Sequence, residues 1–440
     1  MVRDDRAWAL LTRLTDWLDQ FKPCFGRRAQ YVSLREYIDG LLGDSTRKSM
    51  QAMLARVTEP RSYQAFQHFI THAPWDHGTV WRRLWAVLPE RRGVLILDDT
   101  PFLKQGTHSV GVAKQYAGTL KNVANCQVAV TAALWTGVRG WLVGAELYLP
   151  EDWLTPERRA EAHIPAAVRF QEKWRLALTL VRRVRAAGVQ IDAVLADGGY
   201  GTTAALRTAL DRMHLPYVVG AAADVTVFAG TPRLQAPRRT GRPGHPPRYP
   251  QLPSTARIWS AADLVRQQAS TSWRRVSWRN GKQRVWTAEF LAVRVTPVVD
   301  WRRARALREI WLLAERAEGA ATPHRYYFSN LPAHTSVVHL ARLVHQRWAI
   351  EQQYSDLKTE MGLDHFEGRS YPGWHHHVVL SAVAYAFLQT ERRRRRPGPA
   401  LTFPQVRAIA QEIFTGLLFI TRDRYWTWLQ QGRQSLPLRI

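Results

Sequence analysis

At 440 residues, 46% apolar and 22% charged, the chain has the composition of a folded globular protein, long enough for two or three domains and a sizeable core. Its 62 lysines and arginines outnumber 36 aspartates and glutamates, and a formal net charge of +26 points to a polyanionic partner, nucleic acid being the commonest. Two cysteines, Cys24 and Cys126, exclude a disulfide framework or a zinc cluster built from paired cysteines.

Residues 1–88 read as a helical unit, with apolar residues at three and four spacing over Ala7 to Phe21, Ala29 to Leu42, Thr46 to Val57, Ser62 to His72 and Thr79 to Val87. The basic pairs Arg27-Arg28, Arg47-Lys48 and Arg82-Arg83 lie at or near helix starts, so this unit is expected to bind DNA. The charged start MVRDDRAWALL lacks the long apolar core of a signal peptide, which with the two cysteines gives a cytoplasmic expectation.

At Gly93 the texture changes to GVLILDDTPF, an apolar run ending in two acids, as a central strand does when it ends at a site. Asp98 and Asp99 alternate in side-chain direction, so only one can point into a given cleft. Asn125 to Leu134 and Trp141 to Leu149 follow as strands, then a long helix from Ala166 to Ala187. IDAVLADGGYGT repeats the strand-to-acid pattern at Asp197, with Gly198-Gly199 turning the chain away beside the acid; a helix from Ala204 to Met213 and a strand from Pro216 to Ala221 come next.

From residue 224 to 332 the chain reads as a β-rich insertion. Gly230 to Pro253 is rich in Pro, Gly and Arg and is expected to lie along DNA. A hairpin is expected about Asn280-Gly281, with strands at Glu309 to Ala314 and Tyr326 to Ser329. Residues 333–391 return to helix. Read as one helix, HQRWAIEQQYSDLK places Arg347, Glu351 and Lys358 along one face, while Ile350, Tyr354, Leu357 and Met361 form an adjoining apolar face. His375, His376 and His377 diverge by about 100° each on a helix, so they cannot converge on one ion and read as polar helix-start residues. Trp374 to Gln389 is a packing helix too short for a bilayer, and 392–440 holds a basic linker, Arg392 to Arg396, and a helical tail.

Asp99, Asp197 and Glu351 are thus three carboxylates at strand ends or on an exposed helix face. Hard divalent cations take such oxygen ligands, and a pair of them can drive in-line displacement at a phosphodiester.

These residues meet a family. Arg347, Glu351 and Lys358, spaced as R-x3-E-x6-K, resemble the Y-R-E-K signature of DDE-type insertion-sequence transposases. LILDDT and VLADGGYG resemble the first and second acid motifs of that group, and RKSMQAML and GLDHFEGRSYPGWHHH resemble further stretches of one lineage. The signature tyrosine falls at Val344, where this chain departs from the pattern. The resemblance implies a ribonuclease-H-like α/β core, residues 89–223 and 333–391, interrupted by the insertion. It implies Asp99, Asp197 and Glu351 as ligands of two Mg2+ ions, with Mn2+ able to replace them, Asp99 being chosen over Asp98 because the family's acid directly precedes Thr. It also implies Arg347 and Lys358 as phosphate grips, double-stranded DNA as substrate at both the element's terminal inverted repeats and the target, and a homodimer on paired ends. The insertion tryptophans Trp273, Trp278, Trp286 and Trp311 are expected to be largely core.

Overall fold

The computed structural model describes residues 2–57, 62–118, 120–235, 250–280, 284–298, 307–394 and 401–421. The expected helices open the chain as α1 (Val2–Asp19), α2 (Arg28–Leu42), α3 (Met50–Leu54), α4 (Tyr63–Thr71) and α5 (His77–Val87). Short polar caps set their starts: Ser49, Ser62 and Asp76 side chains accept from backbone N–H groups in the first turns of α3, α4 and α5. Leu34, Ile38, Leu41, Phe66 and Ile70 turn inward with essentially no exposure.

Next come β1 (Arg92–Leu103), β2 (Ala113–Ala117), β3 (Asn122–Trp135), β4 (Gly140–Tyr148), α6 (Pro156–Glu161), α7 (Lys173–Ala186), β5 (Gln190–Ala196), α8 (Gly198–Gly201), α9 (Ala204–Arg212) and β6 (Tyr217–Ala221). β1 is antiparallel to β3, and β3 to β4, whereas β1 is parallel to β5 and β5 to β6. The spatial order β4-β3-β1-β5-β6 is the ribonuclease-H-like arrangement, with β1 at its centre. Leu95, Ile96 and Leu97 are fully buried, as a strand covered on both faces requires.

The long helix begins at Lys173, not Ala166. The preceding segment is a loop because the Arg159 guanidinium bonds the carbonyls of Leu154, Pro165 and Val168, fixing them in a turn.

The insertion comprises β7 (Thr226–Ala229), β8 (Ile258–Ser260), α10 (Ala261–Arg266), β9 (Arg274–Asn280), β10 (Arg284–Pro297), β11 (Ile310–Arg316) and β12 (Arg325–Ser329). β12 pairs antiparallel with β6, so insertion and core share one sheet of 12 strands. β9 and β10 form the expected hairpin, with Arg284 opposite Asn280. Residues 281–283 of its turn, most of the Pro/Arg-rich segment, Arg395, Arg396 and the end of the tail lie outside the described residues.

The chain closes with α11 (Val337–His345), α12 (Ala349–Thr359), α13 (Tyr371–Arg393) and α14 (Phe403–Thr421). A single 3-10 turn, Gln346–Trp348, separates α11 from α12, so Arg347 sits in a tighter turn and not in a continuous helix. α13 is buried nearly all round and is the axle between the N-terminal helices and the sheet. Its histidine run is interior: the His376 ring stacks on Trp75 at 3.6 Å, His375 lies 4.5 Å from His77, and His377 Nδ1 is 2.8 Å from the Tyr37 hydroxyl. The Arg13 guanidinium grips buried Glu391 with two bonds of 2.8 and 2.7 Å. Arg407 of α14 and Lys48 donate to the Gly43 carbonyl past the end of α2, at 2.6 Å each, where cations complement the helix dipole. Among the described residues no helix is long and apolar enough to cross a membrane.

Candidate active site

β1 carries its two acids to opposite faces of the sheet. Asp98 pairs across the strand with Thr131 of β3. The Thr131 hydroxyl donates to the Asp98 carbonyl at 3.0 Å and accepts from the Tyr354 hydroxyl of α12 at 2.5 Å, so this face looks toward α12. There Arg347 Nη1 donates to Asp98 Oδ1 at 3.2 Å. Lys358 Nζ donates to the Pro101 carbonyl at 2.9 Å and lies 5.8 Å from the centre of the Phe102 ring. Both cations of the signature therefore rest on β1.

Asp99 faces the other way. Lys173 Nζ, at the start of α7, is 2.7 Å from Asp99 Oδ2, and the Tyr200 hydroxyl of α8 donates to Oδ1. Burial, and then the negative charges of Asp99, Asp197 and Asp98, raise the Tyr200 phenol well above its ordinary value, so it stays a donor.

Asp197 ends β5 and caps α8, accepting from the Tyr200 N–H at 3.3 Å. The turn beyond it needs glycine because it crosses β6 at backbone distance: a Cβ on Gly201 would stand 1.9 Å from the Gly220 carbonyl oxygen. Glu351 is exposed on the first turn of α12. It shares with Asp197, Gly198, Arg347 and Trp348 a cleft of about 650 Å³ whose far wall is the insertion, through Trp278, Trp286 and Glu315.

That wall holds a contact the sequence reading missed. Glu315, 3% exposed on β11, accepts from the Tyr327 hydroxyl at 2.9 Å and lies 3.4 Å from His345 Nε2. Burial alone would raise its carboxyl, but the bond and charge of His345, with Tyr327, hold it below the ordinary range. The His345 ring also stacks on Trp278 at 3.6 Å. The insertion thus grips the residue two positions before Arg347. The only sequence signal was a lone acid in the apolar strand IWLLAER.

Burial pushes the Asp98 carboxyl up to about 7, with Asp197 and Asp99 adding to the rise and Arg347 opposing it. Sheltered negative charge of this kind is what a cation relieves, and carboxylate oxygens suit a hard divalent one. The donor chemistry therefore fits a metal site. The set is not preassembled: among the described residues no three His, Cys, Asp or Glu side chains are gathered closely enough to hold an ion. The structure joins Asp98 to Arg347 and Asp99 to Lys173, and places Asp197 and Glu351 on one cleft.

The family model of the DDE superfamily endonucleases matches residues 20–285, more than half of the chain. That stretch contains Asp98, Asp99 and Asp197 and stops before Arg347 and Glu351. A probable transposase for insertion sequence element IS701, from Microchaete diplosiphon, is 26% identical over 224 residues, covering 50% of this chain and 56% of the relative. The chain thus spans about half the length of the curated relative it matches. With Asp98 and Asp99 on the central strand of a ribonuclease-H-like sheet and Asp197 at the end of its neighbour β5, the chain belongs to the DDE superfamily endonucleases.

Proposed function

We infer that the protein is a transposase that cleaves double-stranded DNA at the ends of its mobile element and joins them to target DNA. The observation that carries this reading is the Arg347–Asp98 contact, which brings the first acid motif and the signature turn to one place beside Asp197 and Glu351. The similarity to an insertion-sequence transposase supports it.

Endonucleases of this superfamily generally use divalent metals; here Asp197 and Glu351, with Asp99 as the first acid or Asp98 on the face that looks toward α12, would hold Mg2+ or Mn2+. When bound, the ions supply activation of the attacking oxygen and charge stabilisation at the leaving one. The chain's own residues do the rest. Arg347 exchanges the Asp98 carboxylate for a phosphodiester oxygen, its planar fork setting the orientation of the scissile group. Lys358 adds a point charge over the end of β1. Trp286 on the insertion's wall and Trp348 of the 3-10 turn, each 42% exposed, narrow the cleft around the DNA end from two sides and exclude water from it. The N-terminal helices add basic surface for the duplex, and two copies act on paired ends in the cytoplasm.

The test is cleavage of a duplex carrying the element's terminal repeats in Mg2+, with a target plasmid present. Wild type should nick and transfer strands, and Asp197→Asn should bind without doing either. Binding without cutting by wild type would leave a DNA-binding protein of this fold, and cutting without strand transfer would make it a nuclease.

A further inference from the structure

The strand that carries Asp98 stops before its neighbour does. β1 ends at Leu103, opposite Cys126, and beyond that point β3 continues out to Asn122 as a ribbon with β2. Residues directly opposite in antiparallel strands share a face, and so do residues two apart along a strand. Asp98 stands opposite Thr131, so its face also carries Gln127, Asn125 and Val123 of β3. Opposite the last two are Lys114 and Tyr116 of β2. The face on which Arg347 and Lys358 rest therefore runs outward into Lys114, Tyr116 and Val123. On the other face Ala117, Cys126 and Val128 bury one another in a small apolar cluster with Ala124 and Tyr148. The Asp98 face of the ribbon has no such cover: Tyr116 is 62% exposed and Val123, its cross-strand partner, 58%.

Charge says what covers it. From Thr100 to Ala145 the sequence holds no acid, and the ribbon's cations, Lys114 and Lys121, are exposed with no ion-pair partner among the described residues. We propose that the β2–β3 ribbon is a second DNA-contact element, lying in a groove of the duplex most of a helical turn from the phosphate that reacts. This rests on the reading of the chain as an enzyme that acts on DNA at the Asp98 face. Val123 stands eight residues along β3 from the partner of Asp98, about 27 Å at strand spacing. One turn of DNA is about 34 Å, and the major groove, about 12 Å wide, admits a two-stranded ribbon. Lys114 and Lys121 meet phosphates at the rims of the groove, while Tyr116 and Val123 pack on base edges and thymine methyl groups. The contact holds the duplex in line, so the scissile phosphate reaches Arg347 already oriented.

The experiment is fluorescence anisotropy of the full chain, without divalent metal and across a KCl series, on a labelled duplex carrying the element's terminal repeat and about two helical turns of flanking DNA. Lys114→Ala combined with Lys121→Ala should lower the slope of log affinity against log salt by about two. Tyr116→Ala should weaken binding roughly five- to tenfold with the slope unaltered, because it removes a groove contact and no charge. Val123→Ala repeats that test from the facing strand, in the same direction, and circular dichroism checks that each variant folds. Trimming the duplex to about half a turn, on the flanking side or on the repeat side, tells which DNA the ribbon holds: on that side wild type falls to the level of Tyr116→Ala. The ribbon assignment is overturned if the variants match wild type on a duplex that wild type binds, or if neither trim lowers wild type to that level. A DNA-free dimer that Tyr116→Ala dissociates in sedimentation velocity also overturns it, since the exposed pair would then be covered by a second copy of the chain. Wild type that fails to bind the duplex at all removes the reading of the chain as a DNA enzyme, and the ribbon with it.

Discussion

Arg347 Nη1 lies 3.2 Å from Asp98 Oδ1, an ion pair between a central strand and a 3-10 turn that are 249 positions apart in sequence. The arginine that the signature offers to DNA is thus held by an acid of the site itself, and a phosphate must compete for it. Arg347→Ala should weaken binding of end DNA and lower the slope of log affinity against log salt by about one. Arg347→Lys should restore the slope but not the cleavage rate, because an ammonium lacks the bidentate fork. Fluorescence anisotropy across a KCl series gives the slope, and a slope unaltered in Arg347→Ala would mean that Arg347 serves only Asp98.

Lys358 differs in kind. Its ammonium is satisfied by the Pro101 carbonyl and lies over Phe102, and burial lowers its pKa. Lys358→Ala is expected to lower the salt slope by about one as well, and to destabilise the protein slightly through the lost cover over Phe102. Paired salt titration and thermal unfolding check this; loss of stability with no change in slope would make Lys358 a packing residue.

How far the sequence announced these contacts differs from residue to residue. The apolar runs that lead into Asp98-Asp99 and Asp197 were legible because a buried central strand is a run of apolar residues, but β1 does not end at its two acids: it continues to Leu103, because its pairing with β3 carries it past them. The apolar face Ile350, Tyr354, Leu357 and Met361 was legible for the matching reason in a helix, and all four are buried. The 3-10 turn at Gln346–Trp348 was not, since helical spacing runs through it unbroken. Alternation required Asp98 and Asp99 to part, but which one sees α12 depends on the register that puts Thr131 opposite Asp98, a partner on another strand. His375, His376 and His377 were polar letters at a helix start until Trp75 and His77, some 300 positions earlier, closed over them. Non-local burial of polar side chains leaves no local pattern.

That burial has a consequence in pH. Burial pushes His77 down to about 4, with His376 adding to the fall, and burial pushes His377 down to about 4 against the Gly362 carbonyl. In the unfolded chain both return to about 6.5. A depressed folded pKa means that the unfolded chain takes up the proton first. Stability is therefore whole above about pH 6.5 and is lost as pH falls toward 4, each histidine adding a slope of at most about 1.4 kcal/mol per pH unit. Urea unfolding between pH 7.5 and 4.5 should show this limb, and His77→Gln should flatten it by one proton's worth even if it lowers stability at pH 7.5. An unchanged limb in that variant would place the acid sensitivity elsewhere.

The last expectation concerns Glu315, the acid beneath His345. Replacing it with glutamine keeps the shape but removes the charge that His345 and the Tyr327 hydroxyl address, in a place 3% exposed. Glu315→Gln should cost about 1.5–3 kcal/mol of stability, the range for a hydrogen bond to a charged group. If the clamp also sets the turn that carries Arg347, the cleavage rate should fall by roughly tenfold while affinity for end DNA stays within about twofold, because misplaced groups slow chemistry more than they loosen binding. Thermal unfolding, single-turnover cleavage and anisotropy on the same preparation separate these effects. A destabilised variant that cuts at the wild-type rate would show that Glu315 fastens the insertion to α11 and does nothing for the site.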